Sequence, residues 1–326
     1  MQYMALFLFI FLSINTIANE NTQRLSKINL LTKFAFGSCN REYLPQPLWP
    51  LIIADKPQLF IWGGDNIYGD KNPFKHQIEK KYRIQNKKPG YQKLKQVTPI
   101  IGIWDDHDYG KNNGGGEYKK KEVNRHFLLD FLEVEKDAPV RSRDGVYQSF
   151  VFGPTGKQVK IILLDPRYNQ TKGDFLGTRQ WSWLGDELES SEAQIHFIMT
   201  GLPFLTPDLI RSEEWANKPK QQEKLISLIK KYQTPGVVFL SGDKHFGAII
   251  ERHGFLEIMS SGMTHTPFIL YHPFLHYYFP KALIKRNYGL ISINWESSPI
   301  SLKVSLKGPL GELLEQTFTL NKNSFR

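Results

Sequence analysis

The chain has 326 residues, with 42 Lys and Arg against 32 Asp and Glu, a formal net charge of +10. Hydrophobic residues at 40% and charged residues at 23% exclude wholesale disorder, and 25 Gly and 19 Pro without a repeat period exclude collagen and simple low complexity. A single cysteine, Cys39, excludes a disulfide scaffold, and the length suits one large domain or one domain with an appendage.

Residues 5–14 form an apolar run broken only by Ser13. That length fits the hydrophobic region of a secretory signal and is short for a bilayer span. Thr16-Ile17-Ala18 offers a cleavage site, so residues 1–18 are read as a signal peptide and the protein as exported, periplasmic or secreted. The alternative is an uncleaved N-terminal membrane anchor. In an oxidising compartment the free Cys39 needs a reason, and metal ligation is one.

From there apolar runs alternate with helical patterns. Strands are expected at 33–37, 58–62, 98–104, 160–164, 196–200, 237–240 and 257–259. Helices are expected at 47–54, 117–132, 179–189 and 221–232, the third with Thr178 as its N-cap. Strand patterns without helices come last, at 290–295, 301–306 and 317–320. The order implies a layered α/β core finished by antiparallel strands, in one domain spanning 30–326.

The loops at the strand ends carry the chemistry. Phe36 leads into Gly37-Ser38-Cys39-Asn40, Trp62 into Gly63-Gly64-Asp65-Asn66-Ile67-Tyr68, and Trp104 into Asp105-Asp106-His107-Asp108. Leu164 leads into Asp165-Pro166-Arg167, and Leu240 into Ser241-Gly242-Asp243-Lys244-His245. Ligands of α/β sheets bind beyond the carboxyl ends of strands, so these loops are expected to share one crevice. Several carboxylates repel one another there unless cations neutralise them. Cys, Tyr and His beside Asp suit a transition metal, and carboxylates alone suit Ca²⁺, Mg²⁺ or Mn²⁺. A paired-metal site suits phosphate-ester hydrolysis by an activated water. Arg167 has the geometry to grip a phosphate, and His107 can protonate the leaving oxygen. Singly, each motif also reads as a turn, a solvated acidic loop or a small core residue; the case rests on their conjunction.

In this order FGSCN, GGDNIYGD, IWDDHDYG, LLDPR and SGDKH resemble the alkaline phosphatase D (PhoD-like) family of metallophosphoesterases. Residues 176–184 also look like that family's segment after the arginine motif. The resemblance implies a calcineurin-like four-layer α/β/β/α sandwich, phosphomonoesterase or phosphodiesterase activity, and a centre pairing Fe³⁺ with Ca²⁺. By position, Cys39, Asp65, Tyr68 and His245 would hold the iron, Asp65 would bridge, and Asp106 and Asp243 would complete the calcium side. His107 would be the general acid, Arg167 would bind phosphate, and Asn40 would touch substrate or a water at the metal. Mn²⁺, Mg²⁺ or Zn²⁺ are alternative metals. His265, after a further strand, is a substrate-side candidate.

The chain departs from the wider superfamily in three places. Ser38-Cys39-Asn40 replaces Asp-X-His, Asp106 replaces the Asn of Gly-Asn-His, and Gly201 stands where another His ligand is usual. A water or a backbone carbonyl is the expected substitute ligand on the hard-metal side. The extra N-terminal β domain of classical secreted members is expected to be absent.

Residues 71–95 hold nine Lys or Arg and one acid, a local +8. They read as a solvated face or as a device steering anionic substrate. No base-reading nucleic-acid module is present in the sequence, and no protein partner is implied. Residues 112–116 lack the Gly-Lys-Ser/Thr ending of a nucleotide loop. Residues 267–284 are dense in aromatics and read as a loop packed on the core, or as an apolar lip for lipid or a leaving group. The partner expected first is a phosphate ester, with an anionic membrane or polymer as a further class. Two competing functions remain beside the phosphoesterase: a catalytically lapsed protein that binds an anionic polymer or membrane, and a phospholipid-directed phosphodiesterase.

Overall fold

The computed structural model describes residues 18–70, 77–207 and 213–320, so the expected signal peptide lies almost wholly outside the described residues. In chain order the elements are α1 (Glu20–Ser26), β1 (Lys33–Gly37), α2 (Trp49–Ala54), β2 (Phe60–Gly63), α3 (Ile78–Asn86), α4 (Pro89–Val97), β3 (Ile100–Ile103), α5 (Asp106–Tyr109) and α6 (Lys121–Phe131). Then come β4 (Gln148–Phe152), β5 (Val159–Leu163), α7 (Gly177–Glu189), β6 (Ile195–Met199), α8 (Pro219–Lys231), β7 (Val237–Ser241), β8 (Gly247–Arg252) and β9 (Phe255–Ser260). The chain finishes with α9 (His272–Tyr278), β10 (Ala282–Leu283), β11 (Tyr288–Asn294), β12 (Ile300–Lys307) and β13 (Leu313–Leu320).

These strands form two sheets, in the orders β13-β12-β11-β1-β2-β3 and β10-β8-β9-β7-β6-β5-β4. β1, β2 and β3 run parallel, as do β5, β6, β7 and β9. Period-two alternation explains the layering. Val159, Ile161 and Leu163 of β5 face the core between the sheets, whereas Ile162 turns outward to meet Trp181 and Leu184 of α7. Phe34 of β1 meets Phe197 of β6 edge-on at 4.8 Å, joining the two sheets. On the other outer face Trp49 of α2 packs on Phe60 and Trp62, at 5.5 and 5.4 Å. The result is the expected α/β/β/α sandwich.

The register of β1 against β11 has a steric cause. Phe36 lies opposite Gly289, and a Cβ at 289 would come 2.1 Å from the Phe36 ring. In front of β1, Asn21 of α1 seals the edge of the first sheet. Its Nδ2 donates to Ile100 O at 2.8 Å, and its Oδ1 accepts from Ile100 N–H at 2.7 Å. The packed structure therefore extends before residue 30.

One capping expectation is corrected. α7 starts at Gly177 with Leu176 in the N-cap position, so Thr178 lies inside the helix and caps nothing. The basic run is also partly structural. Lys81 of α3 pairs with Glu42 at 2.9 Å and donates to Tyr68 O at 2.6 Å, and Lys95 of α4 pairs with Glu133. Lys80, Arg83, Lys87 and Lys93 face solvent, and residues 71–76 of the run lie outside the described residues.

Candidate metal centre

The ends of β1, β2, β3 and β7 converge. Gly242, after β7, approaches Ser38, after β1, so closely that a Cβ at 242 would meet Ser38 Oγ at 2.4 Å. The turns there are tight: Cys39, Asp65, Asp243 and His245 have φ of 59°, 51°, 69° and 63°. Left-handed backbone costs a non-glycine residue about 1–2 kcal/mol. Such strain persists where side-chain direction matters more than backbone ease, which is common at functional sites.

Asp65 stands at the middle. Its Oδ2 accepts from the Tyr68 hydroxyl at 3.1 Å and from the Cys39 thiol at 3.6 Å. Its Oδ1 accepts from the His107 backbone N–H at 3.2 Å. Tyr68 Oη is 3.1 Å from His245 Nε2 and 3.3 Å from His265 Nε2. Donor atoms of Cys39, Asp65 and His245 lie within 4.8 Å of one another, and so do those of Asp65, Asp106 and His107. Seven of the expected residues, His265 included, therefore lie together in one contact network.

Three others are placed differently. Asp243 sits at the crevice, but its Oδ2 is 2.7 Å from Lys244 Nζ, which also pairs with Glu214 at 3.0 Å and donates to the Glu213 carbonyl at 2.5 Å. Arg167 is fully buried: its Nε donates to Asp105 Oδ1 at 2.6 Å and its Nη1 to Glu213 Oε2 at 2.8 Å. Only Nη2 lacks a hydrogen-bond partner. The Asn40 Nδ2 donates to Asn66 O at 3.0 Å and Gln85 Oε1 at 2.8 Å, and its Oδ1 is left buried and unpaired. Gly201, at φ +66°, gives its carbonyl to Gly242 N–H at 2.7 Å, so that carbonyl already has a backbone partner.

The electrostatics describe a site short of positive charge. Burial, then the Asp106 and Cys39 charges, pushes Asp65 well above the carboxylate range. Burial pushes the Cys39 thiol up to about 12, against lowering hydrogen bonds from Ser261 and Ser38. Tyr68 is raised by burial and then by Asp65, while burial pulls His245 down to about 4. Asp106 Oδ1 is buried with no hydrogen-bond partner, and His107 Nε2 is 3.9 Å away. A bound cation reverses the three upward shifts, because it favours thiolate, phenolate and carboxylate, and it agrees with the downward one, because it binds neutral imidazole. The donor set thus fits metal: S, O and N around Asp65 on one side, and oxygens with His107 on the other.

The remaining acids of the Asp-Asp-His-Asp turn are structural. Asp108 accepts from the N–H groups of Asp105, Asp65 and Asn66 at 2.7, 3.2 and 3.1 Å and from Tyr82 Oη at 3.0 Å. Burial lifts its pKa to about 7 against those donors. Asp105 neutralises Arg167.

Four participants were not expected from sequence. Asp70 lies 2.8 Å from His107 Nδ1, close enough for charge contact although not aligned as a hydrogen bond. Ser261 Oγ is 3.1 Å from Cys39 Sγ and accepts His245 N–H at 2.7 Å. Lys244 holds Asp243 through its ammonium. Arg41 lies over the Tyr68 ring at 5.1 Å, and its Nε lacks a partner. Arg41, Asp70 and Lys244 stand inside or beside the sequence motifs, which was their available signal; Ser261 had none beyond its place after a strand.

Residues 34–266 match the family model described as PhoD-like phosphatase. A solved structure of PhoD is similar over 91% of this chain and 72% of that one, with a TM-score of 0.69 at 17% identity. GAP50, the anchor in the inner membrane complex of Plasmodium, is similar over 90% of this chain and 89% of its own, with a TM-score of 0.54 at 11% identity. At such identities the likeness speaks to the fold alone. No curated protein matches the chain. The chain belongs to the PhoD-like phosphatase family, and membership makes it a phosphoesterase that takes a phosphate ester as substrate.

Proposed function

We propose that this PhoD-like phosphatase is an exported metal-dependent phosphodiesterase and alkaline phosphatase with two unlike cations at Asp65. The observation that carries the reading is the buried convergence of Cys39, Tyr68, His245 and Asp106 on Asp65, with too little positive charge among them. Cys39, Tyr68, His245 and Asp65 would hold Fe³⁺, and Asp65, Asp106 and Asp243 would hold Ca²⁺. Mn²⁺, Mg²⁺ or Zn²⁺ are the alternatives in either place. Bound there, the metals would supply charge against the phosphoryl oxygens and lower the pKa of the attacking water.

The chain's own residues do the rest. The His107 ring lies against Tyr68 with centroids 4.1 Å apart and the planes tilted by 32°, and Asp70 is beside its Nδ1. That leaves Nε2 to give a proton to the departing oxygen. Arg167 fixes Asp105 and, through Nη2, has one edge left for a phosphoryl oxygen. Arg41, half-buried over Tyr68, is a second guanidinium for that anion. Asn40 holds the loop after β1 to α3 through Gln85. Export rests on the apolar run 5–14 and the small residues after it.

The test is elemental analysis of the purified protein, with turnover of bis(p-nitrophenyl) phosphate and p-nitrophenyl phosphate on the same sample. Iron with calcium and turnover of either ester is the expected result. Metal without turnover of any ester would favour a lapsed binding protein. Neither metal nor turnover after reloading with iron, manganese and calcium would overturn the reading.

A further inference from the structure

We propose that residues 263–286 form a docking surface for anionic lipid bilayers at the lip of the crevice. The segment is an excursion between β9 and β11 with its feet tied together. Gly262 and Asn287 form an antiparallel bridge, with Asn287 N–H donating to Gly262 O at 3.0 Å. The start of the excursion belongs to the site itself. Thr264 Oγ1 accepts from Arg41 N–H at 2.8 Å, and His265 lies 4.2 Å, ring to ring, from His245. Phe268 comes three residues later, so chain geometry keeps its Cα within about 11 Å of that of His265.

The excursion is apolar on two faces. Inward, Leu275, Phe279 and Ile284 pack on Phe246, Ala248 and Met259. Outward, residues 268–271 with Phe274, Tyr277 and Tyr278 are exposed. Those seven fall within eleven consecutive positions, whereas the other eight exposed large hydrophobics among the described residues are scattered along the chain. Scattered apolar residues need no explanation; a contiguous patch marks a contact. A surface helix normally turns a polar face to water, whereas α9 exposes Phe274, Tyr277 and Tyr278 around a single exposed histidine, His276.

Shape and charge select the occupant. Leu270 and Tyr277 are 77% and 80% exposed, so they stand well clear of the fold. Such side chains suit a partner that deforms around them. A bilayer interface accepts apolar groups to a depth of about 5–10 Å and keeps Tyr hydroxyls at the headgroups. Residues 263–286 contain no Asp or Glu and three basic residues, Lys281, Lys285 and Arg286. Glu251 pairs with Lys281 at 2.8 Å and Glu312 feels the charges of Lys285 and Arg286, so these three cations face two acids and leave a small positive excess, on a chain that carries +10 as a whole. The attraction is therefore to anionic rather than neutral lipid. Among the described residues no helix is long and apolar enough to cross a membrane, so the contact is interfacial.

Docked this way, the crevice would meet esters lying in the membrane surface. That consequence rests on the phosphoesterase reading; the docking itself does not.

The test is co-sedimentation with vesicles of phosphatidylglycerol and phosphatidylcholine in equal parts, beside vesicles of phosphatidylcholine alone. Wild type and the Phe274→Ala/Tyr277→Ala/Tyr278→Ala variant are compared, with gel filtration and soluble nitrophenyl diester turnover on each. Wild type should bind the anionic vesicles and release with rising salt. The variant should bind at least about tenfold more weakly, as loss of buried apolar area requires, with unchanged soluble turnover. Equal binding by both proteins, or none by wild type, would overturn the proposal. So would a wild-type dimer that the variant dissolves, since a second copy would then cover the patch. Vesicle binding with no soluble turnover by either protein would support the surface while removing the phosphoesterase reading.

Discussion

Asp106→Asn should stabilise the protein without metal and remove most of the stability that metal confers. Donor oxygens of Asp65 and Asp106 lie within 4.8 Å of each other in a buried site. At an effective dielectric of 20, two unit charges at that separation repel by about 3.5 kcal/mol. Two effects reduce the gain. Burial already pushes Asp65 toward its neutral form, which reduces the repulsion that can be relieved. Asp106 also opens α5 and accepts Asn113 N–H at 2.7 Å, a charge-assisted contact that Asn makes more weakly, by about 1 kcal/mol. The net expectation is about 1–2 kcal/mol, read as a Tm rise of roughly 1.5–3 °C in thermal unfolding with chelator for a chain of this length. With metal at a hundred times its dissociation constant, wild type should gain about 2.7 kcal/mol and the variant little. A variant that melts below wild type in chelator, or that gains as much from metal, would refute a cation-deficient site at Asp65 and Asp106.

His107→Asn should lower turnover of an alkyl phosphodiester by about 10²–10⁴-fold, with a smaller loss on a nitrophenyl diester, whose leaving group needs no proton; equal losses on both would remove the general-acid role. Arg167→Met leaves buried Asp105 without its cation and should cost about 3–5 kcal/mol in urea unfolding, with Arg167→Lys restoring only part because one ammonium cannot serve both Asp105 and Glu213. A midpoint unchanged from wild type would contradict that assignment. His196, far from the crevice, is pulled down to about 4 by burial between Ser191 and Pro235. It stays neutral when folded and charges when unfolded, so its stabilisation is complete above pH 6.5 and is lost as pH falls toward 4. The loss amounts to at most about 3 kcal/mol. His196→Gln should show a shallower stability slope across that window, and parallel slopes would exclude the effect.

The main strands were legible in the sequence to within about two residues, because fully buried parallel strands are nearly continuous runs of Phe, Ile, Leu and Val. α3 and α4 were not, because their exposed positions mix Lys80, Arg83 and Lys93 with Ile84 and Val97, which blurs the helical period of buried Ile78, Tyr82, Tyr91 and Leu94. β4 and β8 lie toward the sheet edges, partly exposed, and lack the apolar run that marked their neighbours. The motifs at strand ends could be assigned to one crevice because an α/β topology leaves few other places for them.

Within the crevice, the sequence settled which residue types meet but not what each one does. Asp105, Asp106 and Asp108 are chemically identical and nearly adjacent. A helical turn points successive side chains about 100° apart, so each meets a different distant partner. Asp105 meets Arg167 from the loop after β5, and Asp108 meets backbone N–H groups after β2. Asp105 and Asp106 each keep one oxygen without a hydrogen bond, but only Asp106 places its donor atom within 4.8 Å of those of Asp65 and His107. Likewise Arg167, whose sequence context suggested a free phosphate grip, lies fully buried between two carboxylates, while Arg41 lies over Tyr68. Such roles depend on contacts between residues far apart in the chain, which local pattern does not encode and only tertiary packing decides.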